Sequence, residues 1–213
     1  LWNCFVRLRK IMPESLKKLI TIINFLPWIW EKSATKLAFF LLNSNKNYLE
    51  NFAHTLQQLQ WSIAQCRQCG ALVDAWEEVC HICNDQNRDT KVICVVEEYL
   101  DMLTIKKKKI FAGTYHILGG AISPINGVFI GDLNFESLFQ RISDASGELE
   151  LIMATNPNIE WEATVQYILS ELEKRGLKKF VKVTRLSRWL SSGYLEYADN
   201  ITLINSIKER KEI

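Results

Sequence analysis

Glycine is scarce in this chain: nine of 213 residues, about 4%, where ordinary proteins carry about 7%. That excludes a glycine-rich or collagen-like polymer, and it matters again once motifs are compared. Long apolar runs are missing too. The longest candidate, from Leu19 to Trp30, is interrupted by Thr21, Asn24 and Pro27, short of the roughly 20 apolar residues a membrane span needs. The first residues include basic ones but no apolar stretch followed by a small-residue cleavage site, so no secretory signal is expected. Neither sign of charge dominates. With 26 Lys+Arg against 24 Asp+Glu the net charge is +2, so any binding of a polyanion has to come from a local patch. Internal repeats and low-complexity linkers are also absent.

What remains is an ordinary globular composition, 48% hydrophobic and 23% charged, long enough for one large domain or two to three small ones. Residues 14 to 65 read as helical. Leu16, Leu19, Ile20 and Ile23 share one face, and a turn at 26–31 contains Pro27. Ala34, Leu37, Ala38 and Leu41 mark a second helix over Lys32 to Leu42. A third runs from Asn47 to Ala64, with Leu49, Phe52, Ala53, Leu56, Leu59 and Ile63 as its expected buried side. Beyond residue 84 the pattern becomes alternating α/β. Strands are expected at Val92–Val96, Tyr115–Leu118, Leu149–Ala154 and Phe180–Val183, with an amphipathic helix from Glu162 to Arg175 ended by Gly176. Strands alternating with helices imply a mainly parallel sheet. The expected fold class is a multi-module α/β protein.

Four of the six cysteines form two Cys-x-x-Cys pairs, Cys66/Cys69 and Cys80/Cys83, ten residues apart. In a chain without an export signal this favours metal over disulfides. Two such knuckles can set four thiolates tetrahedrally around one Zn²⁺, which leaves no open position and makes the site structural. The alternative is four unrelated cysteines. The segment is too polar to fold by burial alone, so the metal is expected to supply its folding energy. His81 reads as a solvated loop residue and Cys94 as core packing.

Several motifs then line up. They are Leu26-Pro27-x-Ile29-x-Glu31-Lys32-Ser33-Ala34, the four-cysteine knuckle, Ile93-Cys94-Val95-Val96-Glu97, and Tyr115-His116-Ile117-Leu118-Gly119-Gly120-Ala121-Ile122-Ser123-Pro124. Ala154-Thr155-Asn156-Pro157-Asn158-Ile159-Glu160-x-Glu162-Ala163-Thr164 and Leu195-Glu196-Tyr197-Ala198-Asp199 follow. In this order and spacing, over about residues 12 to 213, the chain resembles the RecR family of recombination mediators. The resemblance implies a helix-hairpin-helix module at 12–65, a Cys4 zinc finger at 66–84, a Toprim domain at 90–185 and a C-terminal segment at 186–213. It implies a cytoplasmic DNA-repair protein, with no membrane partner, that binds DNA at gaps or single/double-stranded junctions. It further implies ring- or clamp-like homo-oligomers, dimer to tetramer, acting with RecO and in some settings RecF to load recombinase. The family pattern begins close to Pro13-Glu14-Ser15, so Met12 is expected to be the true start and residues 1–11, with Cys4 and Trp2, upstream sequence.

Toprim enzymes hold Mg²⁺ with a strand-end Glu and an Asp-x-Asp pair, because a hard cation in phosphoryl chemistry wants carboxylates. Here Glu97 stands at the first position, and Asn156 and Asn158 replace the pair, as in the RecR family. Glu160 and Glu162 remain, leaving weak cation binding open. The expectation is a binding fold and not an enzyme; the alternative is a Toprim nuclease or topoisomerase.

A helix-hairpin-helix binds phosphate through backbone N–H groups at a helix N-terminus, with glycine permitting close approach. Lys32 and Lys36, where the family has basic residues, are the candidate DNA contacts; without the resemblance they read as a solvated helix face. The run Lys106 to Lys109 reads as solvated, or as a basic loop facing DNA. The family has Leu-Pro-Gly-x-Gly where this chain has Leu26-Pro27-Trp28-Ile29-Trp30, and it has glycine at the positions of Trp161 and Trp189. Four tryptophans at glycine positions point to one cause: codons GGA and UGA differ by one base, and a genome reading UGA as glycine would be mistranslated as here. Trp61 and Trp76 stay open, since the family pattern is loose there, and the alternative is a degenerate paralogue. The stretch after Trp189 lacks the family's proline, and Tyr194 replaces a common acidic residue.

Overall fold

The computed structural model of the chain describes residues 12–154, 158–187 and 199–213. The chain divides into two compact units between Gln60 and Trp61. In the first, α1 (Glu14–Asn24) and α2 (Glu31–Leu42) form a helical pair, followed by α3 (Lys46–Ser62). Ile20 and Ile23 of α1 bury against Ala34 and Ala38 of α2, with Leu16, Leu19, Ile29 and Leu41 around them. The small side chains at 34 and 38 let the two helices approach closely.

The expected buried side of α3 is not buried. None of its residues is, and Phe52, Leu56 and Leu59 are exposed. Helical periodicity correctly marks an apolar stripe, but it says nothing about what covers that stripe. Tyr48 and Phe52 stack on it with rings nearly parallel, and Phe40 of α2 meets Tyr48 edge-on. The helix also stops at Ser62, and Ile63 opens a strand.

The second unit begins with a short antiparallel ribbon, β1 (Ile63–Gln65) and β2 (Leu72–Asp74). It continues as β3 (Asp89–Val96), α4 (Tyr99–Lys107), β4 (Gly113–Ile117), α5 (Phe135–Ser143), β5 (Leu149–Met153), α6 (Ile159–Lys174), β6 (Val181–Arg185), α7 (Asn200–Lys208) and β7 (Lys211–Glu212). The sheet order is β4-β3-β5-β6-β7. The first four strands are parallel and β7 is antiparallel, so the expected mainly parallel α/β sheet is present.

Alternation along the strands builds a core on each face. Cys94 and Val96 of β3, Tyr115 and Ile117 of β4 and Ile152 of β5 face α4, α7 and the cysteine knuckle. Ile93, Val95, Leu151 and Met153 face α5 and α6. The knuckle, expected to hold too few apolar groups for a core, shares one: Ala71, Val73 and Ile82 pack in the same cluster as Met102 and Ile105. Among the described residues no helix is long and apolar enough to cross a membrane.

The knuckle sits on the sheet's edge. The Ile117 amide donates to the Cys69 carbonyl at 2.7 Å, so the edge strand β4 is not left open. Gly70 makes the approach possible. Its φ is +74°, and a Cβ there would lie 2.7 Å from both the Ile117 carbonyl oxygen and Asn134 Nδ2. Gly70→Ala is therefore expected to destabilise the fold by about 2 kcal/mol, through both strain and overlap. Chemical denaturation of the metal-bound protein measures it, and an unchanged midpoint would contradict the close approach.

Candidate metal centre and DNA-facing sites

The cysteine site is assembled by local backbone bonds. Pairing of Ile63 with Asp74 and of Gln65 with Leu72 delivers Cys66, whose amide donates to the Ala71 carbonyl at 2.7 Å while the Gly70 amide returns to the Cys66 carbonyl at 2.9 Å. A second turn, with the Asn84 amide donating to the Cys80 carbonyl, presents Cys80 and Cys83. The four sulfurs all lie within 4.8 Å of one another, and Cys69 Sγ and Cys80 Sγ are 3.6 Å apart. A tetrahedron with metal–sulfur bonds of about 2.3 Å has an edge of about 3.8 Å, so the spacing fits a metal ion without rearrangement. The Cys80 amide donates to Cys66 Sγ and the Cys83 amide to Cys80 Sγ, at 3.3 and 3.4 Å. Such donors favour sulfur carrying negative charge. The contact with Cys69 lowers the Cys80 thiol from its ordinary range, while the same contact raises that of Cys69. All four cysteines are free of disulfides. The sequence-identified ligands thus converge on a site that can hold a metal ion. His81 lies outside it, exposed, and is hydrogen-bonded to Lys106. Cys94 is fully buried mid-strand, where burial pushes its thiol up.

At the C-terminal ends of the sheet strands stands the acidic group. Glu97 follows β3, with one carboxylate oxygen buried and lacking a hydrogen-bond partner. Burial, and then the charges of Asp101, Glu98 and Glu160, raise its carboxyl to about 7. Glu160 accepts from Ser123 Oγ at 2.5 Å and from Asn126 Nδ2 at 3.0 Å. Glu162 is committed elsewhere, to a two-pronged pair with Arg185 at 2.6 and 2.8 Å. Asn158 caps α6, its side-chain oxygen accepting from the Trp161 amide at 2.8 Å. Asn156, Trp189, Tyr194 and the 195–198 part of the C-terminal motif lie outside the described residues. Ser123, Asn126 and Arg185 hold these carboxylates, and no spacing in the sequence marks them for it.

The helical pair shows what the tryptophans do. Trp28 has φ +65°, a left-handed backbone that a bulky residue rarely adopts and glycine adopts freely. Its side chain is 94% exposed, so the strain is not offset by packing. Trp30 occupies the N-cap of α2, contributes no side-chain cap and is 79% exposed. Trp161 behaves differently: it is 1% exposed in the core between α6 and the sheet, and only its indole N–H lacks a partner. Lys32 and Lys36 are exposed, one turn apart on α2, and among the described residues neither has an ion-pair partner.

Residues 91–187 match the family described as Toprim domain. That span contains the parallel part of the sheet apart from Asp89 and Thr90, together with the acidic group at its strand ends. With the cysteine cluster in front of it, the arrangement fits a RecR-like architecture.

Two outcomes follow from these sites. Purified protein should carry one tightly held metal ion per chain, and Cys66→Ser should lose it along with knuckle stability; elemental analysis finding full metal in that variant would exclude a four-thiolate site. Glu97 has a raised folded-state carboxyl, so the stability it contributes is present below about pH 4.5 and lost as pH rises through about 7. Glu97→Gln should therefore stabilise the protein at pH 8 relative to pH 5, by about 1 kcal/mol once solvent screening of the half-exposed group is allowed for. Parallel denaturation curves at the two pH values check this.

Proposed function

We propose that the chain is a RecR-type mediator of recombinational DNA repair, a cytoplasmic DNA-binding protein without catalytic activity of its own. The observation that carries this reading is the order of parts. A helical pair with a tight hairpin precedes a four-cysteine knuckle, which is docked on the edge of a Toprim sheet. The metal on Cys66, Cys69, Cys80 and Cys83 is zinc on this reading, since four thiolates in tetrahedral spacing are its preferred structural set. Zinc supplies folding energy to the knuckle and no step of chemistry.

The non-catalytic reading rests on the fate of the residues around Glu97. Where Toprim enzymes place two acidic metal ligands, Asn156 and Asn158 supply none, and Asn158 is a helix cap. Glu162 is neutralised by Arg185. The second reading, a metal-dependent Toprim nuclease, is favoured by Glu97 and Glu160 on one acidic face. Mg²⁺-dependent nicking that disappears in Glu97→Gln would establish it; the proposed reading requires no nicking, relaxation or primer synthesis.

DNA contact is assigned to the α1–α2 hairpin, with Lys32 and Lys36 supplying charge and the N-terminus of α2 its backbone N–H groups. The partners proposed are RecO, RecF where present, and further copies of the chain; the uncovered apolar stripe of α3 supports self-association. Trp28 and Trp30 project where a phosphate has to approach, and the left-handed φ at 28 is one that glycine adopts freely. Trp28→Gly/Trp30→Gly is expected to bind DNA at least about tenfold more tightly than the chain as written, with affinity falling as salt rises. Lys32→Ala and Lys36→Ala should then weaken binding irrespective of base sequence. Titration at two salt concentrations decides: equal affinity with and without the glycines removes the hairpin assignment. A chain that binds no DNA alone or with RecO would instead be a protein-interaction module.

A further inference from the structure

The four lysines Lys106–Lys109 close α4 and continue past its end. One or two cations suffice to satisfy a helix C-terminus; four in succession exceed that need, and Lys109 lies beyond the helix at φ +53°. Being consecutive, they fan around the helix end instead of lining one face, which does not suit docking along a partner helix. Lys107 and Lys109 are exposed, and among the described residues neither side chain has an ion-pair or hydrogen-bond partner. Lys106 is different: its ammonium is hydrogen-bonded to His81 Nε2, between the ligands Cys80 and Cys83. Met102 and Ile105 of the same helix pack in one cluster with Cys66, Cys69 and Cys80. The end of α4 and the second knuckle therefore form one body. Among the charges around it, Asp199 is lowered mainly by Thr202 and in part by Lys108, and Asp85 bonds Asn87 and lies near Arg88 and His81. In a chain of net charge +2 this is a concentrated positive patch.

We propose that Lys107 and Lys109, beside Lys106 anchored on His81, form a second nucleic-acid contact that grips the phosphate backbone without reading sequence. Ammonium groups on flexible stems suit that task, since they act as point charges and present no rigid fork to a base edge. The patch belongs to the second unit, whereas Lys32 and Lys36 belong to the first. The proposal rests on the DNA-binding function above and adds a site to it.

The test uses the full-length, metal-loaded chain, as written and with glycine at 28 and 30, titrated onto a labelled oligonucleotide by fluorescence anisotropy across a salt series. Lys107→Glu/Lys109→Glu is expected to lower affinity at least about tenfold and to reduce the slope of log affinity against log salt by about two, with metal content and melting unchanged. The charge-matched control Lys178→Glu/Lys179→Glu, in the 3₁₀ turn Lys178–Phe180 before β6, should leave both at the parent values. The patch should also account for the salt-dependent binding left in the chain as written. Unchanged affinity and slope in Lys107→Glu/Lys109→Glu, while the glycine and Lys32 variants behave as expected, overturns the patch alone and turns it over to an acidic protein partner. An effect of the patch variant with none from the hairpin variants overturns the hairpin and keeps the patch. No binding by either parent overturns both.

Discussion

The gathering of four sulfurs and their seating on a strand edge is the constraint from which the second unit is built. The knuckle has little regular structure of its own beyond a three-residue ribbon. Yet it lends a carbonyl to Ile117 and apolar groups to the core under α4. Strand β4 can be buried along its whole length, although it is the last strand of the sheet, because that cover exists. β4 in turn pairs with β3, which delivers Glu97. An open parallel edge offers unpaired backbone groups to any passing strand; here the cysteine knuckle meets one of them, the Ile117 amide.

Around the sheet, charge is arranged for permanence. Glu160 is held by Ser123 and Asn126 across 34 to 37 residues and Glu162 by Arg185, while at the opposite ends of the strands Glu150 is held by Arg210 at 2.5 and 2.8 Å. Each carboxylate is thereby fixed in a protein contact and not offered as a ligand; Glu97, with its unpartnered oxygen, is the exception. On this Toprim sheet, Glu160 and Glu162 are met by internal partners.

Much of this was legible in the sequence. The four parallel strands are short, largely apolar runs, and the cysteine spacing pointed to the four residues that converge. What was not legible was of two kinds. Helices α4, α5 and α7 are only nine residues each, too short for periodicity to separate them from loops, and α5 follows a glycine-containing stretch with two 3₁₀ turns. Partners distant in sequence, such as Glu162 and Arg185 or Ser123 and Glu160, leave no spacing signal at all. The hairpin is the reverse case. The sequence singled out Trp28 as standing in a glycine's place, and the backbone there is left-handed. At Trp161 the same reasoning meets a packed core position, so the two sites call for different physical accounts.

The bare stripe on α3 has a thermodynamic consequence of its own. If copies associate through it, as proposed, association of folded copies draws the folding equilibrium with it by mass action. On that footing the melting temperature of the first unit is not a constant of the sequence. It rises with protein concentration, while the second unit, whose two cores are closed within the chain, melts at a temperature indifferent to dilution.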